Sequence, residues 1–155
     1  MAKRQIAIFV LGPSALPIAR KIKDTVCGLI HGPEGLEGAD VHFEKATHAM
    51  AHAFQFSHAV IGVCASGILV RAIAPRLKSK LQGHPVLAVA EDGSSVVPLL
   101  GGHVGANDLA RKIAVATQGH AAITTASDVV FGEAMDEPEG AFLANADDHK
   151  AAAAA

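Results

Sequence analysis

Three nearly unbroken apolar runs, each closed by a turn and the first two followed by a helical period, leave this chain few folds to choose from. Residues 4–11 (RQIAIFVL), 58–64 (HAVIGVC) and 86–90 (VLAVA) have strand length and are rich in Ile and Val. A strand wetted on one face alternates apolar with polar residues, whereas a continuous run is buried on both faces. After the first run, Gly12-Pro13-Ser14 breaks the strand, and Ser14 is placed to cap a helix over residues 15–26. In that helix Leu16, Ala19, Ile22 and Val26 share a face. Residues 28–38 carry five Gly or Pro and read as a short strand followed by a loop. Residues 47–56 read as a helix. Ala65-Ser66-Gly67 then turns into another over residues 68–77, with Pro75 near its end. Glu91-Asp92-Gly93-Ser94 between two apolar runs is a hairpin signal leading to a strand at 96–100. A helix over 107–117, begun at Asn107 or Asp108, and a last strand at 121–125 complete the pattern. Repeated alternation of this kind predicts an α/β domain: a largely parallel sheet with helices on both faces, a Rossmann-like three-layer arrangement. No internal repeat is visible. Residues 1–150 read as one domain, and the Ala151–Ala155 run is set aside as an artefact or as unassigned residues.

Composition narrows the class of function. With 50% hydrophobic residues and a formal net charge of -2, the chain has the makings of a core and lacks the charge excess of a disordered segment. No apolar stretch reaches spanning length and no secretory leader is visible, so a cytoplasmic protein is expected, with no membrane partner. Cys27 and Cys64 form neither a disulfide framework nor a CxxC, and read as free thiols. Charge is unevenly spread. Residues 45–90 hold Lys45, Arg71, Arg76, Lys78 and Lys80 and no acid, whereas residues 128–150 hold seven acids and one Lys. The basic segment suits an anionic partner. Nucleic acid is a poor candidate, because the chain is slightly acidic and has no Trp or Tyr on which bases could stack.

Three constellations can carry chemistry. At Cys64-Ala65-Ser66-Gly67 a strand hands over to a helix, whose first N–H groups and Gly67 can approach an anion; an ordinary tight turn with a packed thiol accounts for the same residues. Cys64 as a nucleophile requires a base nearby, which spacing does not supply. At Leu99-Leu100-Gly101-Gly102-His103-Val104-Gly105-Ala106-Asn107, three glycines within five residues form a pliable concave backbone. The pattern is neither GxxxxGK[ST] nor GxGxxG, which disfavours an unrelated nucleotide-binding domain. His103 in that loop is a candidate general base, although a lone loop histidine is often merely solvated. Thr124, Thr125, Ser127 and Asp128 leave the last strand and are expected on the same rim as the glycine loop, unless they form an ordinary hydroxyl turn. Nine histidines invite a metal, but His48 and His52 enclose Ala-Met-Ala rather than the HExxH of a zinc site, and His42 and His58 lack ligand spacing.

Taken together, four segments resemble a known family. They are Gly67-Ile68-Leu69-Val70-Arg71-Ala72-Ile73-Ala74-Pro75 with Lys78 and Lys80; Pro85-Val86 with Glu91-Asp92-Gly93; Pro98-Leu99-Leu100-Gly101-Gly102-His103-Val104-Gly105-Ala106-Asn107-Asp108-Leu109-Ala110; and Ile123-Thr124-Thr125-Ala126-Ser127-Asp128. In order and spacing they resemble the N-terminal domain of the cobalt-precorrin-5A hydrolases of cobalamin biosynthesis, from about Ile6 to Lys150. Gly105-Ala106 stands where the family often has two glycines. Leu143-Ala144-Asn145 and Lys150 are similar to the family's closing stretch, after which a further domain is expected.

The resemblance implies a corrin-ring tetrapyrrole as partner, with a δ-lactone opened by water and acetaldehyde released. It implies no resident cofactor, the cobalt being carried by the substrate, and it leaves other cobalamin-pathway enzymes as possible partners. Opening a lactone needs an activated water and an oxyanion stabiliser. The family's motif does not itself assign these roles; on the chemistry of the residues His103 is the expected catalytic base, with the Gly101 and Gly102 amides as oxyanion donors. Ser66, Gly67, Arg71, Lys78, Lys80, Gly101, Gly102, Asn107, Thr124, Thr125, Ser127 and Asp128 are the expected substrate contacts. The same domain is similar to one fused to precorrin-3B C(17)-methyltransferase, which implies an alternative: corrinoid binding without chemistry.

Overall fold

In the computed structural model, which describes residues 5–78 and 83–126, the first apolar run forms strand β1 (Ile6–Val10), every residue of it buried. Its side chains part by the two-residue period of a strand. Ile6, Ile8 and Val10 enter one core; Ala7 and Phe9 enter the other. The second and third runs form β4 (Ala59–Val63) and β5 (Val86–Val89) and divide in the same way. Helices α1 (Leu16–Val26) and α4 (Ala106–Thr117) cover the first face, through Leu16, Ala19, Ile22, Ala110 and Ile113. Helices α2 (Ala46–Phe56) and α3 (Ser66–Ile73) cover the second, through Met50, Phe54, Leu69 and Ile73. The three-layer α/β arrangement predicted from the alternation is therefore observed.

The remaining strands are β2 (Leu29–Pro33), β3 (Val41–Phe43), β6 (Ser95–Leu100) and β7 (His120–Ala121). The sheet order is β3-β2-β1-β4-β5-β6-β7. Every neighbouring pair is parallel except β5 and β6, which the hairpin at Asp92-Gly93 makes antiparallel. That hairpin is held by Asp92 Oδ1 accepting from the Ser94 N–H at 2.9 Å and by a left-handed Gly93 (φ 75°). It determines where the site lies. Because β6 runs against β5, with Val86 opposite Leu100, the loop leaving β6 emerges at the amino-terminal end of the parallel strands. The loop leaving β4 emerges at the other end, where Val63 lies opposite Val89.

Three local expectations are corrected, and one strand is added. Ser14 does not cap α1: a 3-10 turn, Pro13–Ala15, precedes the helix, and the Ser14 hydroxyl donates instead to the Glu91 carboxylate at 2.8 Å. With Pro13 at the first position of that turn and Gly12 before it, Ser14 lies inside the turn rather than ahead of the helix, and its hydroxyl is free to donate to a charged acceptor. The helix expected over 68–77 starts earlier and ends at Ile73, where a 3-10 turn at Ala74–Arg76 takes over and Pro75 withdraws a donor. Strand β3 lies where the sequence pattern marks no element, because an exposed three-residue edge strand has no buried face to pattern its sequence. The last strand is two residues long rather than five: the Ile123 N–H bonds back to the Ala121 carbonyl at 3.1 Å, and the chain curls out of the sheet. Among the described residues no helix is long and apolar enough to cross a membrane.

Gly93 also ties the two halves of the first face together. Its carbonyl accepts from the buried Thr117 hydroxyl at 3.0 Å, and a Cβ on it would lie 2.8 Å from Ile18 Cδ1 and 2.9 Å from Thr117 Cβ. Gly93→Ala adds left-handed strain to a contact that must give way, and is expected to cost about 2 kcal/mol. A thermal melt should show a fall in Tm of several degrees. An unchanged Tm would mean that the hairpin relaxes without cost.

Candidate functional site

The glycine segment is built by two left-handed residues. Gly101 (φ 79°) and Gly105 (φ 101°) bracket a 3-10 turn, Gly102–Val104, which presents His103. The Gly101 carbonyl accepts from the N–H groups of Val104 and Ala106, both at 3.0 Å, locking the turn onto the first residue of α4. At Gly101 a Cβ would fall 2.9 Å from the backbone Cα of Pro85, so glycine is required there by conformation and by space. Gly102 is different: its φ is outside the left-handed range, and a Cβ would point toward Thr125 Oγ1 at 3.1 Å and Asn107 Nδ2 at 3.3 Å. These polar atoms line a hollow that the missing side chain leaves open.

The hollow is a cavity of about 460 Å³, lined by Leu77, Lys78, Gly83, Pro98, Leu99, Leu100, Gly101, Gly102, His103, Asn107, Thr124 and Thr125. Its size is that of a pocket for a small molecule or for one edge of a larger one. Asn107, 3% exposed, donates from Nδ2 to Thr125 Oγ1 at 3.1 Å and so fixes the threonine at the cavity wall. The curl after Ala121 brings Thr124 and Thr125 over the start of α4. His103 turns its Nε2 away from solvent. Lys78 supplies a cation at the mouth, and no carboxylate is among the described lining residues. The arrangement offers an imidazole, two hydroxyls, an amide, pliable backbone and a cation facing apolar walls. It suits a ligand that is mainly apolar, with oxygen functions at its edge.

The candidates read from sequence do not all meet here. His103, Lys78, Gly101, Gly102, Asn107, Thr124 and Thr125 are brought together. Ser66, Gly67 and Arg71 are not: they stand beyond β4, at the opposite end of the sheet, about 10 Å away along β5 at the rise of a strand. Arg71 folds back along its own helix, its Nη1 3.3 Å from where a Gly67 Cβ would be. Because β6 is reversed, the glycine loop and the Ser66-Gly67 turn, each of which follows a strand, lie at opposite ends of the sheet. Lys80, Ser127 and Asp128 lie outside the described residues. Leu77 and Gly83 line the cavity and belong to no motif in the sequence, while Pro98 stands there only as the first residue of a family segment; nothing in apolar residues marks one wall of a cavity before the topology is known.

Cys64 is 8% exposed, and burial, reinforced by the Glu91 carboxylate, pushes its thiol up to about 11. A raised thiol stays neutral until the pH nears that value, so at pH 8 only about 0.1% is thiolate. Iodoacetamide at pH 8 should label the exposed Cys27 first and leave Cys64 largely unmodified, as read by peptide mass spectrometry. Equal labelling would contradict the buried thiol. A second hollow of about 520 Å³ lies between α2 and the β2–β3 edge, with His31, His42 and His52 on its walls. Burial lowers the His31 pKa, partly offset by Asp40. Among the described residues no three metal-binding side chains come together.

Comparison with known proteins gives consistent matches. The family described as cobalamin synthesis G N-terminal matches residues 48–128, just over half of the chain. A cobalt-precorrin-5A hydrolase of Salmonella typhimurium is 33% identical over 134 residues, 84% of this chain and 38% of that protein. One of Priestia megaterium is 42% identical over 77 residues, 49% of this chain and 21% of that protein. A crystal structure of a cobalamin biosynthesis protein G homolog from Sulfolobus solfataricus superposes with a TM-score of 0.61 at 24% identity, covering 78% of this chain and 37% of that one. The last likeness supports the fold. The chain spans less than two fifths of the length of each of these relatives.

Proposed function

The chain belongs to the cobalamin synthesis G N-terminal family, and from that premise we propose that its glycine-loop cavity holds one edge of a corrin-ring biosynthetic intermediate and contributes to opening a δ-lactone there. The observation that carries the reading is the cavity's lining: His103, Thr124, Thr125, Asn107 and Lys78 around apolar walls, with no carboxylate among the described lining residues. A tetrapyrrole edged with acetate and propionate groups is apolar in the middle and anionic at its rim. It is attracted by a cation and by hydrogen-bond donors, and a wall carboxylate would repel it.

In this reading His103 draws a proton from a water as its oxygen bonds to the lactone carbonyl carbon. The carbonyl oxygen gains charge and is met by the Gly101 and Gly102 amides. Collapse of the tetrahedral intermediate breaks the ring C–O bond, and the proton held by His103 passes to the departing alkoxide. The lactone becomes a carboxylic acid and an alcohol, with one water consumed. Loss of the extruded carbon and its methyl as acetaldehyde follows from that opened form. Cobalt enters with the substrate, and no resident cofactor is invoked. The hydrolases this chain resembles are much longer, and in this reading a longer protein completes the reaction.

The test is direct. Cobalt-precorrin-5A is incubated with the chain alone and with the full-length protein that contains it, and acetaldehyde is trapped and quantified alongside equilibrium binding. Binding by the chain, with acetaldehyde released by the full-length protein, is the expected result. Binding without release from either would favour the second reading, a corrinoid-binding module joined to a methyltransferase. Absence of binding would overturn both.

A further inference from the structure

A smaller compartment of about 210 Å³ adjoins the glycine-loop cavity, walled by Phe54, Gln55, Arg76, Leu77, Lys78, Gly83 and His84. Leu77, Lys78 and Gly83 also line the larger cavity, so the two hollows share a partition. The 3-10 turn at Ala74–Arg76 ends α3 at this end of the sheet, beside the start of β5, and so delivers Arg76 to the side where the glycine loop also emerges. His84 stands edge-on to Phe54, ring centroids 6.4 Å apart, which gives the compartment an aromatic floor. Among the described residues neither Arg76 nor Lys78 takes part in an ion pair, and no acid lines either compartment.

We infer that this compartment is a specificity subsite, in which Arg76, with His84 and Lys78, grips a peripheral carboxylate arm of the ligand whose oxygen-bearing edge lies in the glycine-loop cavity. The inference rests on the reading of the ligand given above and adds what that reading lacks: a site for the part of the molecule that the larger cavity cannot enclose. A planar guanidinium at a compartment mouth matches a carboxylate with two parallel N–H···O bonds, which a lysine cannot do. The shared partition sets the spacing. A ligand must span from the His103 wall to Arg76 across Lys78, so a compact anion fills one compartment but not both.

The experiment compares two corrinoids by titration calorimetry: cobyrinic acid, whose arms are carboxylates, and cobinamide, whose arms are capped as amides. Wild-type chain should prefer cobyrinic acid. Arg76→Gln should lose about tenfold in affinity for it, lose nothing for cobinamide, and show a shallower salt dependence. In parallel, succinate as a minimal dicarboxylate should shift the Gly83 and His84 amide resonances of wild type and not those of Arg76→Gln. If cobyrinic acid binds and Gly102→Ala weakens it while Arg76→Gln binds as wild type does, the subsite is refuted and the main cavity stands. If no corrinoid binds but succinate still shifts those amides through Arg76, the subsite stands and the corrin reading falls. If inorganic phosphate shifts them at lower concentration than succinate, the carboxylate assignment is refuted.

Discussion

His103→Ala in the full-length protein is expected to slow acetaldehyde release from cobalt-precorrin-5A by roughly 10²–10⁴-fold, the usual contribution of a positioned general base. The loss should fall on kcat and leave KM within a few-fold, because ground-state contacts to Lys78, Asn107, Thr124 and Thr125 are untouched. Stability should change little, by about 1 kcal/mol, since the Gly101 carbonyl, accepting from the Val104 and Ala106 N–H groups, holds the turn that carries His103. A circular-dichroism melt checks that the variant is folded. If the folded variant releases acetaldehyde at the wild-type rate, His103 has no part in the chemistry. Should KM rise instead with kcat unchanged, His103 acts as a binding group and water is activated elsewhere.

The sequence discloses the architecture where burial on both faces leaves its mark. Runs such as IAIFV and AVIGV can only be central strands, and both are fully buried. Asp92-Gly93 marks a hairpin because a left-handed glycine fits that turn, and the structure places the residue at φ 75°. The consequence of that hairpin is what local pattern cannot disclose. A two-stranded turn reverses β6, and the reversal moves the glycine loop to the far end of the sheet from Ser66, Gly67 and Arg71. Both segments leave a strand and enter a helix, so they look alike in one dimension and part only when strand directions are assigned. Thr124 and Thr125 reach the glycine loop by a different route from the one expected. The strand stops at Ala121, and the curl that follows is what brings Thr125 to Asn107. Edge strand β3 and the apolar wall at Leu77 and Pro98 leave no periodic signal at all.

The two adjacent glycines of the loop separate fold from function. Gly101→Ala places a Cβ against the Pro85 backbone, which has no side chain to move aside, and asks a residue with a Cβ to hold φ 79°. Left-handed strain of about 1 kcal/mol adds to an overpacking cost of about 1–3 kcal/mol, so a loss of roughly 2–4 kcal/mol is expected. For a domain of this size that lowers Tm by roughly 5–15 °C. Gly102→Ala meets neither obstacle. Its backbone is ordinary, and its nearest neighbours are side-chain atoms of Thr125 and Asn107 that can shift by tenths of an ångström. Tm should therefore stay within about 2 °C, at the small end of substitution effects. The added methyl nevertheless projects onto the polar wall of the cavity, and corrinoid affinity should fall about tenfold or more, as expected when a ligand loses a hydrogen-bonded edge. Thermal melts and calorimetric titrations of both variants, measured side by side, decide the matter. Loss of stability at Gly101 with loss of binding alone at Gly102 locates the ligand in this cavity. Undiminished corrinoid binding by a folded Gly102→Ala would move the site elsewhere on the domain.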